Sequence, residues 1–544
     1  MKTKKPISYF FSFILFASLF ACGNMNNTGL SDKNAKQEIN SPVSEMSKDE
    51  ASGMVIEAEP GIISDDETST NFNTEEYDKI VENEFKDAKQ NPLSTFSIDV
   101  DNASYSNVRR YLTDSQLPPA NAVRIEEMIN YFDYEYPDAT GEHPFSFITE
   151  IGECPWNKEN KLIHIGIQGK KLDYNTLKPC NLVFLIDASG SMEDNNKLPL
   201  LKKSLRMLLD NLNDRDRVAI VAYAGAAGLV LPSTQASSKD KIIEALDNIM
   251  AGGSTAGGQG IQLAYEVAVK NYIKGGNNRV ILATDGDFNV GTSSTGELVD
   301  MINEKRKSDI YLTILGFGMG NYKDGRMEQI SNSGNGNYFY IDNIKEAEKV
   351  FVKEMRANMF TIAKDVKIQI EFNPAFVKGY RLIGYENRVM AAEDFNDDTK
   401  DAGELGAGHT VTALYEIIPV GSSQEVKTYD NLKYQNQGTN SYSTGSDEIM
   451  TLKFRYKPLD SEVSIPIEVA VKNQTQKLAD CSNNFRFSAS VATFGMLLRD
   501  SKFKGTSTFE MATNLAKGAI TADEMGYKQE YLGLIKTADL LSKK

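Results

Sequence analysis

The sequence has few of the residues that catalytic and zinc sites most often use. Its 544 residues include three histidines, four cysteines and one tryptophan. No two cysteines have the Cys-x-x-Cys spacing of a zinc site. The histidines, His143, His164 and His409, lie outside the segment that carries the candidate site below, and no Gly-x-Ser-x-Gly motif follows a predicted strand. These absences argue against a zinc centre and against a hydrolase, so we expect no enzymatic activity.

Positive charge is also scarce, and it is not clustered. The chain has 59 Lys and Arg against 75 Asp and Glu, which gives a formal net charge of −16. Nucleic acids are bound largely through clustered Lys and Arg, so we do not expect a nucleic-acid partner. The composition, 41% hydrophobic and 25% charged, is typical of a globular protein, and the length indicates several domains.

Long apolar runs are missing except at the start of the chain. Three lysines among the first five residues precede the mostly apolar segment 7–21, which is too short to span a membrane but suits a signal peptide. It ends in Leu19-Phe20-Ala21-Cys22, which resembles the lipobox of bacterial lipoproteins. We therefore expect cleavage before Cys22 and a lipid anchor on it, in the bacterial cell envelope at the outer membrane, on its periplasmic or surface face. The alternative is an ordinary signal peptide with a chance cysteine.

The middle of the chain has the pattern of an α/β domain. Leu182–Ile186 is a continuous apolar run, typical of a strand buried on both faces, and strands then alternate with helices to about residue 359. This pattern predicts a doubly wound, mostly parallel sheet with helices on both faces. From Val366 strands follow one another without helices, which predicts a β-sandwich, and the chain after Asn484 is helical.

These changes of pattern divide the chain into six segments. They are a signal peptide (1–21), a disordered tether (22–92), an N-terminal α+β flanking region (93–178), the α/β domain (179–360), the β-sandwich (361–475) and a C-terminal helical region (476–544). The strands before Leu182 either form a region of their own or pair with those after Val366, which would make the α/β domain an insertion.

Oxygen-bearing side chains follow the buried strands of the α/β domain. The first strand ends in Asp187, followed by Ser189 and Ser191, a later strand ends at Asp285, and Thr255 lies in a glycine-rich loop before a helix. Ligands of doubly wound sheets bind beyond the carboxyl ends of the strands, so we expect these five side chains to converge. Two carboxylates and three hydroxyls form an oxygen shell that suits Mg²⁺, or Mn²⁺ or Ca²⁺ in its place.

The motif Asp187-x-Ser189-x-Ser191, together with Thr255 and Asp285, resembles the metal-ion-dependent adhesion site of the von Willebrand factor type A family. The order of elements is also similar, and the flanking segments resemble bacterial envelope lipoproteins with a central type A domain. This resemblance implies metal-dependent protein binding, in which an acidic residue of another protein completes the ion's shell. It implies no particular partner.

Several readings remain open beside this one. Asp287 and Asn289 either orient metal-bound water or are solvent-facing turn residues. The cation either binds a partner or only braces the loops of an envelope scaffold, and the least favoured alternative is a Mg²⁺-dependent hydrolase. Cys154 and Cys180 either form one disulfide or stay free thiols, and Cys481 is likewise either paired or free.

Overall fold

The structure is a computed structural model, and it describes residues 75–98, 101–173, 177–253, 257–286, 295–319, 323–354, 357, 359–428, 446–521 and 523–543. Among these residues, no helix combines the length and the apolar character needed to cross a membrane. Cys154, Cys180 and Cys481 are buried free thiols, so the disulfide alternative is excluded for the three.

The strands are numbered in chain order. They are β1 (Lys86–Asp87), β2 (Leu93–Ser97), β3 (Phe145–Glu153), β4 (Lys161–Gly169), β5 (Cys180–Asp187), β6 (Arg217–Tyr223), β7 (Ala227–Gln235), β8 (Asn277–Thr284), β9 (Ile310–Phe317), β10 (Tyr338–Ile341), β11 (Thr361–Phe372), β12 (Val377–Ile383), β13 (Val389–Met390), β14 (Gly403–Gly406), β15 (Thr410–Pro419), β16 (Glu448–Lys457), β17 (Ile465–Lys472) and β18 (Thr475–Gln476).

The α-helices are numbered in the same way. They are α1 (Ala103–Thr113), α2 (Ile125–Asn130), α3 (Leu198–Asp210), α4 (Lys239–Asp247), α5 (Gly257–Lys270), α6 (Thr295–Arg306), α7 (Asp324–Ser333), α8 (Ile344–Glu348), α9 (Asn483–Arg499), α10 (Phe509–Lys517) and α11 (Tyr527–Leu541). A π-helical turn, Lys349–Lys353, follows α8 directly. The sequence did not predict this turn, nor helix α7.

The central sheet has the strand order β10-β9-β8-β5-β6-β7. All neighbours are parallel except β6 and β7, which are antiparallel at one edge. Along β5, Leu182, Phe184 and Ile186 face the core beneath α3, α4 and α8, while Val183 and Leu185 face the core beneath α5, α6 and α7. The apolar run is therefore continuous because the strand is buried on both faces, and the predicted doubly wound α/β fold is confirmed.

Two further sheets form a β-sandwich. Their strand orders are β1-β12-β15-β4-β3-β18 and β13-β2-β11-β16-β17, with β14 also paired to β11. One apolar core lies between them and draws side chains from both. Along β4, Ile163 and Ile165 enter that core, whereas Leu162 joins a second core on the outer face, under α1, α2 and the C-terminal helices α9, α10 and α11. The sandwich is thus covered by helices on one side.

The α/β domain is an insertion into this sandwich. Strands β2, β3 and β4 precede it, and they pair with β11, β15 and one another. The chain leaves the sandwich after Gly169, whose N–H donates to His409 O (2.8 Å), and returns at Phe360, whose carbonyl accepts from Ala407 N (2.8 Å). The exit and the return are therefore both hydrogen-bonded to one loop, at His409 and Ala407. The strands on either side of the insertion do pair. Strand β1, which pairs with β12, lies inside the segment 22–92 predicted to be a disordered tether, so the ordered chain begins before residue 93; the other segment boundaries stay predictions.

Candidate metal centre

The first predicted ligands lie at the carboxyl edge of the central sheet. In the registers of β5, Asp187 lies opposite Tyr223 of β6, and Ile186 lies opposite Ala283 of β8, one residue before Thr284. Asp187 is the last residue of β5, and Asp285 directly follows the last residue of β8. The two carboxylates therefore lie at the same edge of the sheet. Both carboxylates are fully buried, which is unusual for acidic side chains.

Asp187 is held by donors that carry no charge. Its Oδ1 accepts a hydrogen bond from the Ser189 backbone N–H (2.9 Å), and its Oδ2 accepts from the Tyr223 hydroxyl (3.1 Å) and the Thr284 hydroxyl (3.0 Å). Burial raises the pKa of Asp187 above its ordinary value, and the nearby Asp285 carboxylate raises it further. These contacts fix the carboxylate in place without neutralising it.

The two serines follow in a tight turn. Ser189 Oγ and Ser191 Oγ are 3.0 Å apart, and Ser191 is exposed. The turn is tied to the loop before α5, because Gly252 N donates to Ala188 O (2.8 Å) and Gly190 N donates to Gly253 O (3.2 Å). The glycine-rich loop in which Thr255 was predicted to act is thus joined to the serine turn at residues 252 and 253.

Lys197 is part of this arrangement, although the sequence did not single it out. Its Nζ lies 3.1 Å from Asp285 Oδ2 and donates to Ser191 O at 2.9 Å, and its side chain is 7% exposed. Lysines are rarely buried, so neither its position before α3 nor its residue type predicted this role. The acids on either side of the loop were its only sequence signal.

The donor set suits a hard divalent cation. Two buried carboxylates lie beside two neighbouring hydroxyls, and the single described ammonium within reach, that of Lys197, offsets one of the two negative charges. Oxygen ligands of this kind are those that Mg²⁺, Mn²⁺ and Ca²⁺ prefer. Asp187, Ser189, Ser191 and Asp285 are brought to one place; Thr255, Asp287, Asn289 and Cys22 lie outside the described residues and stay predictions.

A second group of buried acids lies away from this edge. Carboxylate oxygens of Asp101, Glu127 and Glu328 lie within 4.8 Å of one another. Two arginines bind them. Arg124 contacts Glu127. Arg388 Nη2 lies 3.2 Å from Asp101 Oδ2 and 3.0 Å from Glu328 Oε1. We call these residues, together with Asp324, which also contacts Arg124, the arginine-bound cluster. Its guanidinium partners are those of a structural ion-pair network.

The histidines offer no general base at the candidate centre. Burial lowers the pKa of His164 to about 3 and that of His409 to about 4. His143 Nδ1 lies 3.1 Å from the Tyr456 hydroxyl. All three belong to the sandwich side of the molecule, as the sequence predicted.

Three family profiles match successive parts of the chain. The von Willebrand factor type A domain profile matches residues 181–353, a von Willebrand factor profile matches residues 71–164, and the profile described as "Uncharacterized protein YfbK, C-terminal" matches residues 357–541. Together with the doubly wound sheet, these matches define a protein built around a von Willebrand factor type A domain.

One relative is similar over most of its length. The uncharacterized protein YfbK of Escherichia coli (strain K12) is 42% identical over 476 residues, which cover 86% of this chain and 82% of that protein. The chain belongs to the YfbK family. The uncharacterized protein sll0103 of Synechocystis sp. is 30% identical over 194 residues, 35% of this chain and 44% of that protein.

Solved structures are similar at lower identity. A von Willebrand factor type A protein from Catenulispora acidiphila is 15% identical with a TM-score of 0.40, covering 71% of this chain and 89% of that one.

Proposed function

We propose that this protein is a divalent-cation-dependent binding protein of the bacterial cell envelope, tethered to the outer membrane by a lipid on Cys22. A partner protein supplies an acidic group to the bound ion. The observation that carries the proposal is the fully buried Asp187 carboxylate, whose donors among the described residues are neutral and which lies beside the Asp285 carboxylate. Burying two carboxylates together is costly unless a cation compensates them.

Asp187, Ser189, Ser191 and Asp285 would hold the ion, with Thr255 as a predicted fifth ligand. When bound, a cation such as Mg²⁺ supplies positive charge and keeps coordination positions that the protein does not fill. The side chains of Asp187 and Ser189 are fixed by the hydrogen bonds described above, whereas Ser191 is exposed. The exposed side of the site is therefore the side from which a partner's carboxylate would approach.

Apolar side chains near this edge support a protein as the partner. Met250, which precedes the loop tied to the serine turn, is 77% exposed, and Met319, which follows Gly318 beside Lys197, is 45% exposed. Methionine is common at binding surfaces, because its flexible, polarisable side chain adapts to different partners.

The site is tested by Asp187→Asn in the full chain. The amide keeps an acceptor for Tyr223 and Thr284 but removes the charge, so we expect affinity for Mg²⁺ and Mn²⁺ to fall at least about 100-fold in calorimetry, with an unchanged circular dichroism spectrum. Asp210→Asn is the matched control, because Asp210 is an exposed carboxylate that pairs with Lys239 at the end of α3. Unchanged metal affinity in the Asp187 variant would refute the cation site.

Partner binding is tested in intact cells. Cross-linking followed by mass spectrometry should recover the same proteins with wild type and Asp210→Asn, and lose them with chelator or with Asp187→Asn. The scaffold alternative rests on the hydrogen bonds that join the two loops of the site. It would be favoured if chelator lowered the melting temperature but left every cross-linked protein in place.

Membrane attachment and the absence of enzymatic activity have tests of their own. Metabolic labelling with a fatty acid should mark the wild type and not Cys22→Ser, which should also leave the membrane fraction. Purified protein with Mg²⁺ should not hydrolyse phosphate esters. Turnover that disappears in Asp285→Asn would contradict a pure binding role.

A further inference from the structure

The Lys197 ammonium lies where a divalent ion would share its ligands. It contacts Asp285 Oδ2 at 3.1 Å and the Ser191 carbonyl at 2.9 Å, both of them groups of predicted ligand residues. Among the described residues, Lys197 also pairs with Asp194, at 3.6 Å, whose side chain is 73% exposed. The strongest charge contact of this buried lysine is therefore with a residue of the metal centre.

Backbone and neighbours hold the lysine in this position. Lys197 N donates to Asp194 O (2.9 Å), and Leu201 N donates to Lys197 O (2.8 Å), so both its backbone polar groups are fixed at the start of α3. Its aliphatic chain passes over Gly318, at the end of β9. Gly318 has φ +74°, and a methyl group there would collide with Cγ, Cδ and Cε of Lys197. The glycine provides the passage by which the ammonium reaches Asp285.

The charges at the centre then follow from its described side chains. Asp187 and Asp285 contribute two negative charges and Lys197 one positive charge, so the site carries −1 without an ion and +1 with a divalent ion. Without the lysine the loaded site would be neutral. A positive charge close to the ion also repels it, and the interaction is strong because the surroundings are buried.

We propose that Lys197 sets the net charge of the candidate metal centre and, through it, the affinities of the centre for the ion and for a carboxylate. Its ammonium shares the Asp285 carboxylate with the divalent ion, weakens the affinity of the site for that ion, and gives the loaded site the net positive charge that favours a carboxylate of the partner. This inference rests on the proposed function. It adds a residue that lowers affinity for one ligand, the metal, and raises affinity for the other, the carboxylate.

The test measures two affinities in the full chain. Lys197→Met keeps the aliphatic bulk and removes the charge, and Lys197→Gln is a second neutral variant that keeps a donor for the Ser191 carbonyl. Lys203→Met is the matched control, because Lys203 is an exposed lysine of the same helix, α3. Calorimetry with Mn²⁺ gives the metal affinity, and the proton relaxation of Mn²⁺-bound water, titrated with acetate, gives the affinity for a carboxylate.

Both neutral variants should bind Mn²⁺ at least about tenfold more tightly than wild type, and the loaded variants should bind acetate at least about fivefold more weakly. Lys203→Met should leave both values unchanged. A lysine that only braces the loop would give weaker metal binding when removed, so weaker or unchanged Mn²⁺ affinity overturns the proposal. So does failure of both neutral variants to fold.

The outcomes also separate this inference from the proposed function. If wild type binds Mn²⁺ and the neutral variants bind it no more tightly, only the role of Lys197 falls. If the folded wild type binds no Mn²⁺, the cation site and the inference fall together.

Discussion

The candidate metal centre and the arginine-bound cluster both bury several carboxylates, but they satisfy them in different ways. In the arginine-bound cluster every carboxylate contacts a guanidinium, from Arg124 or Arg388. At the candidate metal centre, the described donors to Asp187 are a backbone N–H and hydroxyls, all of them neutral. A guanidinium compensates a carboxylate permanently, whereas neutral donors orient it and leave its charge for an ion.

The two clusters also differ in what they connect. Arg124 joins the segment before α2 to Asp324 of α7, 200 residues further along the chain, and Arg388 joins the sandwich to Asp101 and Glu328. These ion pairs fasten the inserted domain to its host. Among the described residues, the candidate metal centre joins loops at one edge of the central sheet, beside the exposed Ser191. The charge of the donors therefore distinguishes Asp187 from the acids of the arginine-bound cluster.

The largest expected effect is on stability in the arginine-bound cluster. Arg124→Met leaves Glu127 and Asp324 buried without their guanidinium, so we expect the free energy of unfolding to fall by about 3–5 kcal/mol. Urea denaturation followed by circular dichroism measures it. A loss below about 1 kcal/mol would mean that this cluster does not fasten the domains.

The next effect is a pH dependence at Glu126, which adjoins the arginine-bound cluster. Burial, together with the nearby Glu386 and Glu127 carboxylates, raises the pKa of Glu126 to about 8. Because the folded pKa lies above the unfolded value, near 4.5, the stability that protonation contributes is complete below about pH 4.5 and is lost as the pH rises through about 8.

Glu126→Gln should therefore flatten the dependence of the unfolding free energy on pH in this range and leave the variant more stable than wild type at the alkaline end. Glu244→Gln, at an exposed position of α4, serves as the control and should follow the wild-type curve. Equal slopes for wild type and Glu126→Gln would show that Glu126 is ionised in the fold at neutral pH.

Adding a divalent metal ion should stabilise the protein through the candidate metal centre alone, and not through the arginine-bound cluster. Mg²⁺ at 100 times its dissociation constant should raise the free energy of unfolding by about 2.7 kcal/mol over the value with chelator. This increment should vanish in Asp187→Asn and persist in Arg124→Met, as measured by urea denaturation with and without chelator. An increment that disappears in Arg124→Met would mean that the two clusters are coupled.

The smallest effect is expected at an exposed arginine. Arg206 and Asp247 form an ion pair whose side chains are 40% and 47% exposed. Arg206→Met should change the free energy of unfolding by less than about 1 kcal/mol, because solvent screens such pairs. Arg206→Met and Arg124→Met both replace arginine by methionine. The difference between their losses of unfolding free energy therefore measures how much burial adds to the contribution of an ion pair.

Much of the fold could be predicted because the apolar pattern is local. The predicted apolar strand Leu182–Ile186 lies within β5, and the α/β alternation is confirmed. The ends of β5 and β8 placed Asp187 and Asp285 at one edge, since parallel strands end at the same side. These inferences need only neighbouring residues and the geometry of a parallel sheet.

Other features depend on distant partners. Helix α7 (Asp324–Ser333) was missed because it is mostly polar and contains Asn, Ser and Gly. Its two apolar residues, Met327 and Ile330, are the only apolar mark of a buried face. Lys197 was missed because its burial depends on Gly318, which is distant in the sequence and directly follows β9. The π-helical turn Lys349–Lys353 likewise interrupts a run whose apolar spacing is that of an ordinary helix.

The insertion of the α/β domain also determines the order in which the molecule can be assembled. Gln369 of β11 donates to Thr95 of β2, 274 residues earlier, so β2 has no partner in β11 until the intervening chain has been synthesised. Closing so long a loop from an unfolded chain carries a large entropic cost. A type A domain that has already folded would bring its two ends together, since Gly169 and Phe360 hydrogen-bond to the same loop at His409 and Ala407. We therefore expect the inserted domain to fold before the sandwich that surrounds it is complete.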